Sequence, residues 1–219
     1  MLTSPSSPTS TTPARNLLYE TLSIIALMLI LAQTPLKGTA VLLPLVYFFG
    51  EAIVRHRTWA ELGFKPREFL RAVQMNWFWI LLVGVVIQVI VIVGAQWQYP
   101  AFLDHVRSRL PLPGNLQWFA IIGALFLSTL LEEVTFRAFF QERLTWFVGT
   151  PTAILVAAFL FGIMHLASGA PFVVALDVGL VILDGILYGI IYARGKNIFA
   201  AWLAHFGADV VGILLLLWI

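Results

Sequence analysis

Residues 125–140, LFLSTLLEEVTFRAFF, carry two adjacent glutamates and an arginine inside a run that is otherwise apolar. Such a run is typical of a membrane-spanning helix, where a lone central charge costs roughly 2.5–3.5 kcal/mol. Glu132, Glu133 and Arg137 must therefore face the interior of a helical bundle rather than lipid. The stretch predicts an all-α membrane protein with a polar site inside the membrane.

The composition of the whole chain agrees with a membrane environment. Of its 219 residues, 60% are hydrophobic and 11% are charged, whereas about 25% of the residues in soluble domains are charged. Cysteine is absent, which excludes disulfides and thiolate metal sites. The formal net charge is only +2 and the basic residues form no patch, so we expect no nucleic-acid partner. The expected surroundings are a lipid bilayer.

Several long apolar runs predict the architecture. A helix needs about 20 apolar residues to cross a hydrocarbon core of about 30 Å. We predict a polytopic helical bundle of about seven transmembrane helices, with six to eight left open by uncertain boundaries. It forms one domain over residues 16–219, after a disordered Ser/Thr/Pro-rich tail at 1–15. The predicted spans are 17–34, 39–55, 72–95, 117–147, 151–167, 172–193 and 198–219.

The basic residues predict the orientation, because Lys and Arg concentrate in cytoplasmic segments. A cytoplasmic N-terminus places nine of them inside and three outside, so we expect this orientation. The inside residues are Arg15, Arg55, Arg57, Lys65, Arg67, Arg71, Arg143, Arg194 and Lys196, and the outside residues are Lys37, Arg107 and Arg109.

Two connecting segments have their own predictions. Residues 55–72, RHRTWAELGFKPREFLRA, mix charges with spaced aromatic residues, which fits either a short interfacial helix or an ordinary charged loop. Residues 96–115 contain Trp97, Tyr99 and several prolines, and we expect an interfacial loop there.

Polar residues within the predicted spans can meet in one place. Glu133 and Arg137 are four residues apart and share a helix face, whereas Glu132 points about 100° away from Glu133. His205 and Asp209 also share a face. Counted from the cytoplasmic ends, the acid, arginine and imidazole groups lie at similar depths. The full set is Glu132, Glu133, Arg137, His165, Asp177, Asp184, His205 and Asp209.

Three short motifs resemble those of the CPBP-type membrane proteins, which include the CAAX proteases and the bacteriocin-processing enzymes. LLEEVTFRAFF is similar to their E-E-x-x-x-R motif, and FGIMH at 161–165 is similar to F-x-x-x-H. LAHFGAD, which contains His205 and Asp209, resembles H-x-x-x-N. The resemblance extends over about residues 60–215. Each motif alone is weak, but their order on successive apolar segments is specific.

The resemblance implies a glutamate-dependent intramembrane endopeptidase that acts on a membrane-associated protein or peptide. It implies that Glu132 is the general base for water and that His165 orients that water. Glu133 and Arg137 would hold the base, while His205 and residue 209 would stabilise the oxyanion. We also expect a multi-pass location in a bacterial plasma membrane and no cofactor.

Two positions depart from this pattern, and several others fall outside it. Asp209 stands where the family has Asn, and an ionised carboxylate would repel an oxyanion, so it must be protonated or act on His205 instead. Ala138 replaces a common glycine. Asp177 and Asp184 match no catalytic motif, and we assign them to structural hydrogen bonds or a hydrated vestibule. Gly179, Gly185 and Gly189 fit close helix packing.

Three other functions are compatible with the same residues. A metal-dependent protease would bind zinc through Glu132, His165 and His205, although the chain has no H-E-x-x-H motif. A proton-coupled carrier would use the buried acids as a relay, but no internal repeat is visible. A non-catalytic immunity or scaffold protein would need none of the proposed chemistry.

Overall fold

The computed structural model describes residues 15–110 and 118–219. The predicted disordered tail lies outside the described residues except for Arg15, which begins the first helix. Every regular element among the described residues is helical, so the all-α prediction is confirmed.

Eight helices form the described part of the chain. They are α1 (Arg15–Ala32), α2 (Leu42–Val54), α3 (Pro66–Gln98), α4 (Pro100–Arg109), α5 (Trp118–Val148), α6 (Thr150–Met164), α7 (Pro171–Gly195) and α8 (Ile198–Trp218). Five of them, α1, α3, α5, α7 and α8, are long and apolar enough to cross a membrane, and α2 and α6 are shorter apolar helices. These seven correspond to the seven predicted spans, which confirms a polytopic helical bundle.

The predictions for the two connecting segments have different outcomes. Residues 55–65 form turns and irregular structure, as the charged-loop interpretation expects, whereas residues 66–72 belong to the start of helix α3. The loop predicted at 96–115 is wrong for its first part, because Pro100–Arg109 forms helix α4. Pro100 is the first residue of this helix, a position where proline's missing N–H costs nothing.

Helices α6 and α7 approach closely at small residues. A Cβ on Gly162 of α6 would lie 2.4 Å from Ile182 Cγ1, and one on Gly185 of α7 would lie 3.2 Å from Ala158. A Cβ on Gly189 would lie 2.8 Å from Gln141 Oε1 on α5. The packing role predicted for Gly185 and Gly189 therefore holds. It is wrong for Gly179, which has open space around it.

Two helices contain wide π-helical segments. Leu82–Val86 interrupts α3, and Val134–Gln141 interrupts α5 directly after the two glutamates. In α3 this segment lies against α8, since a Cβ on Gly84 would be 3.3 Å from the Ala204 carbonyl oxygen. In α5 all eight residues of the segment are buried. Such segments are rare and often lie at functional sites.

Polar contacts define two opposite ends of the bundle. At one end, Arg143 contacts Glu51 at 3.0 Å and the Asn197 side chain donates to the Lys65 carbonyl at 2.9 Å. This end, the basic face, carries the nine basic residues predicted to be cytoplasmic. The opposite end, the α4 face, joins α4 to the start of α7 and the end of α8. There Arg107 donates to the Leu216 carbonyl at 3.3 Å.

Candidate active site

Glu133 lies at the centre of a buried ion cluster. Its side chain is fully buried, and its Oε1 lies 3.3 Å from Arg137 Nη1 and 2.9 Å from His205 Nδ1. Arg137 also donates to the Gly185 carbonyl at 3.2 Å, which ties α5 to α7. The spacing of four residues therefore does form the expected pair on one helix. The additional histidine comes from α8.

His205 is held in one orientation by rings and by this hydrogen bond. Tyr188 stacks on it with ring centroids 4.7 Å apart, and Phe161 meets it edge-on at 5.5 Å. Because an ionised carboxylate only accepts, His205 Nδ1–H donates to Glu133. The other nitrogen, Nε2, then faces Glu132 Oε2 at 3.8 Å and Asp209 Oδ2 at 3.9 Å.

Glu132 points away from this cluster into a cavity. Its side chain is 25% exposed, and its Oε2 lies 3.9 Å from His165 Nε2. Distances of 3.8 and 3.9 Å exceed those of direct hydrogen bonds, about 2.7–3.2 Å. Two adjacent carboxylates on one helix thus have different surroundings, one paired and enclosed, the other open to the cavity.

His165 has a defined tautomer in its neutral form. Its Nδ1 lies 2.8 Å from the Phe161 carbonyl oxygen one turn earlier, and a carbonyl oxygen can only accept. Nδ1 therefore carries the hydrogen, and Nε2 presents a lone pair towards Glu132. The residue lies at the end of α6, where the helix stops and leaves the ring free to reach the cavity.

The cavity has a volume of about 720 Å³ and is mainly apolar. Side chains from α3 to α8 form its walls, and Glu132, His165, His205 and Asp209 lie along it. Glu133 and Arg137 are not among the lining residues. All six candidate residues therefore converge, four on the cavity and two behind it.

Several polar residues of the site escaped the sequence motifs. Tyr188 lines the cavity beneath His205, and Gln88 of α3 donates to Asp184 at 3.1 Å. Asp177 contacts His105 Nε2 at 3.3 Å and also pairs with Arg109. Both aspartates are thus hydrogen-bonded and line the cavity, as expected for a vestibule. A glutamine inside the apolar span of α3 was the sequence signal for the Asp184 contact.

Within 15–110 and 118–219, no group of three or more His, Asp or Glu side chains has the arrangement of a metal site. In the group considered for zinc, Glu132 Oε2 lies 3.9 Å from His165 Nε2 and 3.8 Å from His205 Nε2. Whether activity depends on a metal is tested by metal removal.

Comparison with known families assigns the segment that contains the site. Residues 114–211 match the family model of the type II CAAX prenyl endopeptidase Rce1-like proteins. This segment is therefore similar to the Rce1-like CAAX proteases. The matched segment contains all six candidate residues and α5 to most of α8, whereas α1–α4 lie before it. No curated protein and no solved structure matches the chain.

The match to the Rce1-like family model confirms the resemblance seen in the three motifs. It supports a CAAX-type intramembrane protease in general terms and an integral membrane location. The match starts at residue 114, so it does not extend over the earlier part of the core expected at 60–215.

Proposed function

We propose that this protein is an intramembrane endopeptidase in which Glu132 activates a water molecule for peptide-bond hydrolysis. The observation that carries the proposal is the position of the Glu132 carboxylate in the cavity, where the Nε2 atoms of His205 and His165 lie 3.8 and 3.9 Å from its Oε2. These gaps suit a water molecule that bridges the groups. The Rce1-like family supports the reaction class.

The two carboxylates have separate tasks in this proposal. Arg137 and His205 surround Glu133, so its charge is compensated and its position is fixed. Glu132 has no such close partner among the described residues and is available as a general base. Its position depends on Glu133, because both residues belong to the same turn of α5.

The hydrolysis proceeds in two proton transfers. Water donates one hydrogen to Glu132 and the other to the Nε2 lone pair of His165, which directs its oxygen towards the substrate carbonyl carbon. Glu132 takes the first proton as the C–O bond forms, and the carbonyl oxygen becomes an oxyanion. Glu132 then gives this proton to the amide nitrogen, the C–N bond breaks, and a carboxylic acid, which keeps the second proton of the water, and an amine leave.

His205 stabilises the oxyanion in its doubly protonated form. Nδ1–H donates to Glu133, so a second hydrogen on Nε2 points towards the cavity. Preorganised donors of this kind contribute about 10²–10³ to turnover. Asp209, 3.9 Å from the same Nε2, acts on His205 by favouring its cationic form, since its own carboxylate would repel an oxyanion.

The substrate class is a peptide segment held at the membrane. The cavity lies within the helical bundle and most of its wall is apolar, so a substrate has to bring an apolar anchor together with the peptide bond. A CAAX-type tail, with its lipid-bearing cysteine near a free C-terminus, has this chemistry. An apolar peptide helix with a short polar extension has it as well.

The test of this mechanism uses Glu132→Gln, which preserves the side-chain size and removes the base. We expect at least a roughly 100-fold loss of cleavage, the lower end of the general-base contribution. Membrane peptides from cells with the wild type and the variant are compared by mass spectrometry, and a precursor should accumulate in the variant. Glu68→Gln on the exposed surface is the matched control.

Other outcomes identify the alternatives. Unchanged peptides together with an unchanged phenotype in Glu132→Gln would indicate an immunity or scaffold protein. Loss of wild-type cleavage after verified metal removal, with recovery on adding Zn²⁺, would indicate a metal-dependent protease. Proton-coupled transport that survives in Glu132→Gln would favour a carrier.

A further inference from the structure

Among the described residues, a single Lys or Arg side chain lines the active-site cavity. It is Arg109, the last residue of α4, and four carboxylates share the same walls: Glu132, Asp177, Asp184 and Asp209. Like charges repel strongly where water is scarce, so most of this surface disfavours an anionic group on a bound molecule. Apart from the oxyanion position at His205, Arg109 marks the place along the described walls where a substrate carboxylate would be attracted.

The guanidinium group of Arg109 has donors that no described residue uses. Its Nη1 donates to Asp177 Oδ2, whereas Nε and Nη2 have no hydrogen-bond partner among the residues that the structure describes. The side chain is partly exposed and lies along the cavity. A guanidinium group holds five N–H donors in a planar fork, and one edge of that fork fits a carboxylate through two parallel hydrogen bonds. The edge formed by Nε and Nη2 is therefore available to a second carboxylate.

Asp177 has a second donor besides Arg109. Its Oδ2 lies 3.3 Å from Nε2 of His105 on α4, and both side chains are buried. Because an ionised carboxylate only accepts, the imidazole Nε2–H donates to it. Gly169, in the turn before α7, leaves room for this ring, since a Cβ there would lie 2.8 Å from His105 Nδ1. Two donors thus share the charge of Asp177, and Arg109 can bind another carboxylate without leaving the first.

The position of Arg109 relative to the reacting groups predicts the length of peptide between them. Asp177, which holds Arg109, and Tyr188, which stacks on His205, lie about 16 Å apart along the axis of α7 at 1.5 Å per residue. A second carboxylate on the other edge of the guanidinium group would lie a few ångströms from Asp177. Since an extended peptide covers roughly 3.3–3.6 Å per residue, this carboxylate would lie about three to six residues beyond a peptide bond at Glu132.

We propose that Arg109 is a specificity-determining residue that binds the free C-terminal carboxylate of the substrate. This role rests on the proposed proteolytic function. Leu180 and Val181 line the cavity along the stretch of α7 between Asp177 and Tyr188, so the residues of the tail between the carboxylate and the cleaved bond meet an apolar wall. A short apolar tail with a free C-terminus fits this arrangement, whereas an internal segment brings no anion to Arg109. Helix α4, which lies before the family-matched segment, thereby contributes to substrate selection.

Paired synthetic peptides test this role. One lipid-modified peptide of the CAAX type is made with a free C-terminal carboxylate and, otherwise identical, with a C-terminal amide. The purified protein should cleave the acid with a kcat/KM about 10- to 100-fold above that of the amide, the range for hydrogen bonds to charged groups. Arg109→Gln should abolish this preference, mainly by raising KM for the acid. Arg107→Gln on the same helix is the matched control and should keep the preference, because Arg107 does not line the cavity.

A purely structural role for Arg109 would lower cleavage of both peptides by the same factor in Arg109→Gln, and this result would overturn the proposal. A wild-type protein that cleaves both peptides equally well would overturn it too. If Arg109→Gln does not fold, Arg109→Lys decides the question. Lysine keeps a positive charge beside Asp177 but lacks the planar fork, so the preference for the acid should fall, and an unchanged preference would contradict the assignment.

Peptide binding separates this proposal from the proteolytic function itself. Glu132→Gln should bind the acid peptide more tightly than the amide, and adding Arg109→Gln should remove that difference. This result, combined with a wild-type protein that cleaves neither peptide, would remove the proposed function and support the carboxylate site. Equal binding of the two peptides, combined with wild-type cleavage, would overturn the carboxylate site and leave the proteolytic function intact.

Discussion

At the scale of single residues, neighbours in sequence have opposite environments. Glu133 is fully buried between Arg137 and His205, whereas Glu132 is 25% exposed along the cavity. One carboxylate therefore contributes to the stability of the bundle, and the other is free for chemistry. Replacing glutamate by glutamine should therefore have different effects on stability and activity at positions 132 and 133.

Glu133→Gln should reduce both stability and activity. Removing one member of a buried ion cluster leaves Arg137 uncompensated, which costs about 3–5 kcal/mol. Glu132→Gln removes no close ion pair and should change the unfolding free energy by less than about 1 kcal/mol while abolishing cleavage. Unfolding of the purified proteins in detergent, monitored together with cleavage, separates the two effects. Equal stability of both variants would contradict the assignment.

Tyr188 should affect catalysis through its ring rather than its hydroxyl group. Its stacking on His205 is worth about 0.5–1.5 kcal/mol beyond burial, so Tyr188→Leu should lower kcat roughly 3- to 10-fold. Tyr188→Phe preserves the ring and should retain most of the activity. Steady-state kinetics of both variants provide the measurement, and an equal loss in the two would point to the hydroxyl group.

The spacing along the sequence predicted individual contacts only within one helix, whereas the convergence of Glu132, His165 and His205 was expected from their similar depths and from the family resemblance. The spacing of Glu133 and Arg137 gave their ion pair, and the spacing of His205 and Asp209 gave their common face. The contact between Glu133 and His205 joins residues 72 positions apart, and no periodicity specifies it. For the same reason Tyr188, which matters through stacking between helices, was not anticipated.

At the scale of helices, hydropathy predicted which segments form the apolar helices but not the details of their structure. The seven apolar helices follow from runs of apolar residues, but α4 is polar and short, and its sequence resembles a loop. The π-helical segment Val134–Gln141 could not be predicted from the sequence, because an extra residue in one helical turn does not change the composition of the apolar run. Helix packing was only partly visible, since Gly179 has the same pattern as Gly185 without a neighbour.

Gly162→Ala should destabilise the packing of α6 on α7. The new methyl group would lie 2.4 Å from Ile182 Cγ1, and overpacking of this kind typically costs about 1–3 kcal/mol. Gly179→Ala on α7 is the control, because no atom lies within 4 Å of its added Cβ. Thermal unfolding in detergent should show a lower Tm for the first variant alone. A similar Tm for both would mean that α6 can shift without cost.

At the scale of the whole molecule, an ion cluster joins the first two helices to the family-related segment. Glu51 of α2 contacts Arg143 of α5 at 3.0 Å, Arg55 at 3.3 Å and Arg57 at 3.4 Å. Arg55 also reaches Glu20 of α1 at 2.9 Å. Because Arg143 and Glu51 are both buried, this cluster anchors α1 and α2 against α5.

Glu51→Gln should weaken that anchor and leave the active-site geometry unaltered. The buried Arg143 would lose its carboxylate, which predicts a loss of about 3 kcal/mol in unfolding free energy. Glu68→Gln, at an exposed position, should stay within about 0.5 kcal/mol of wild type. Cleavage measured below the melting transition should be near normal in both. A stable Glu51→Gln variant would show that apolar packing alone retains α1 and α2.

The wide turn at Val134–Gln141 has a consequence for both ends of α5. Each added residue rotates the remainder of the helix by about 100° about its axis, so this turn sets the angular phase between Glu132 before it and Arg143 after it. Deleting one residue of this segment would restore regular α-helical winding. If Glu132 kept its direction, Arg143 would then rotate away from Glu51. A single irregular turn thus allows one helix to direct the proposed catalytic glutamate into the cavity and, further along, an arginine towards α2.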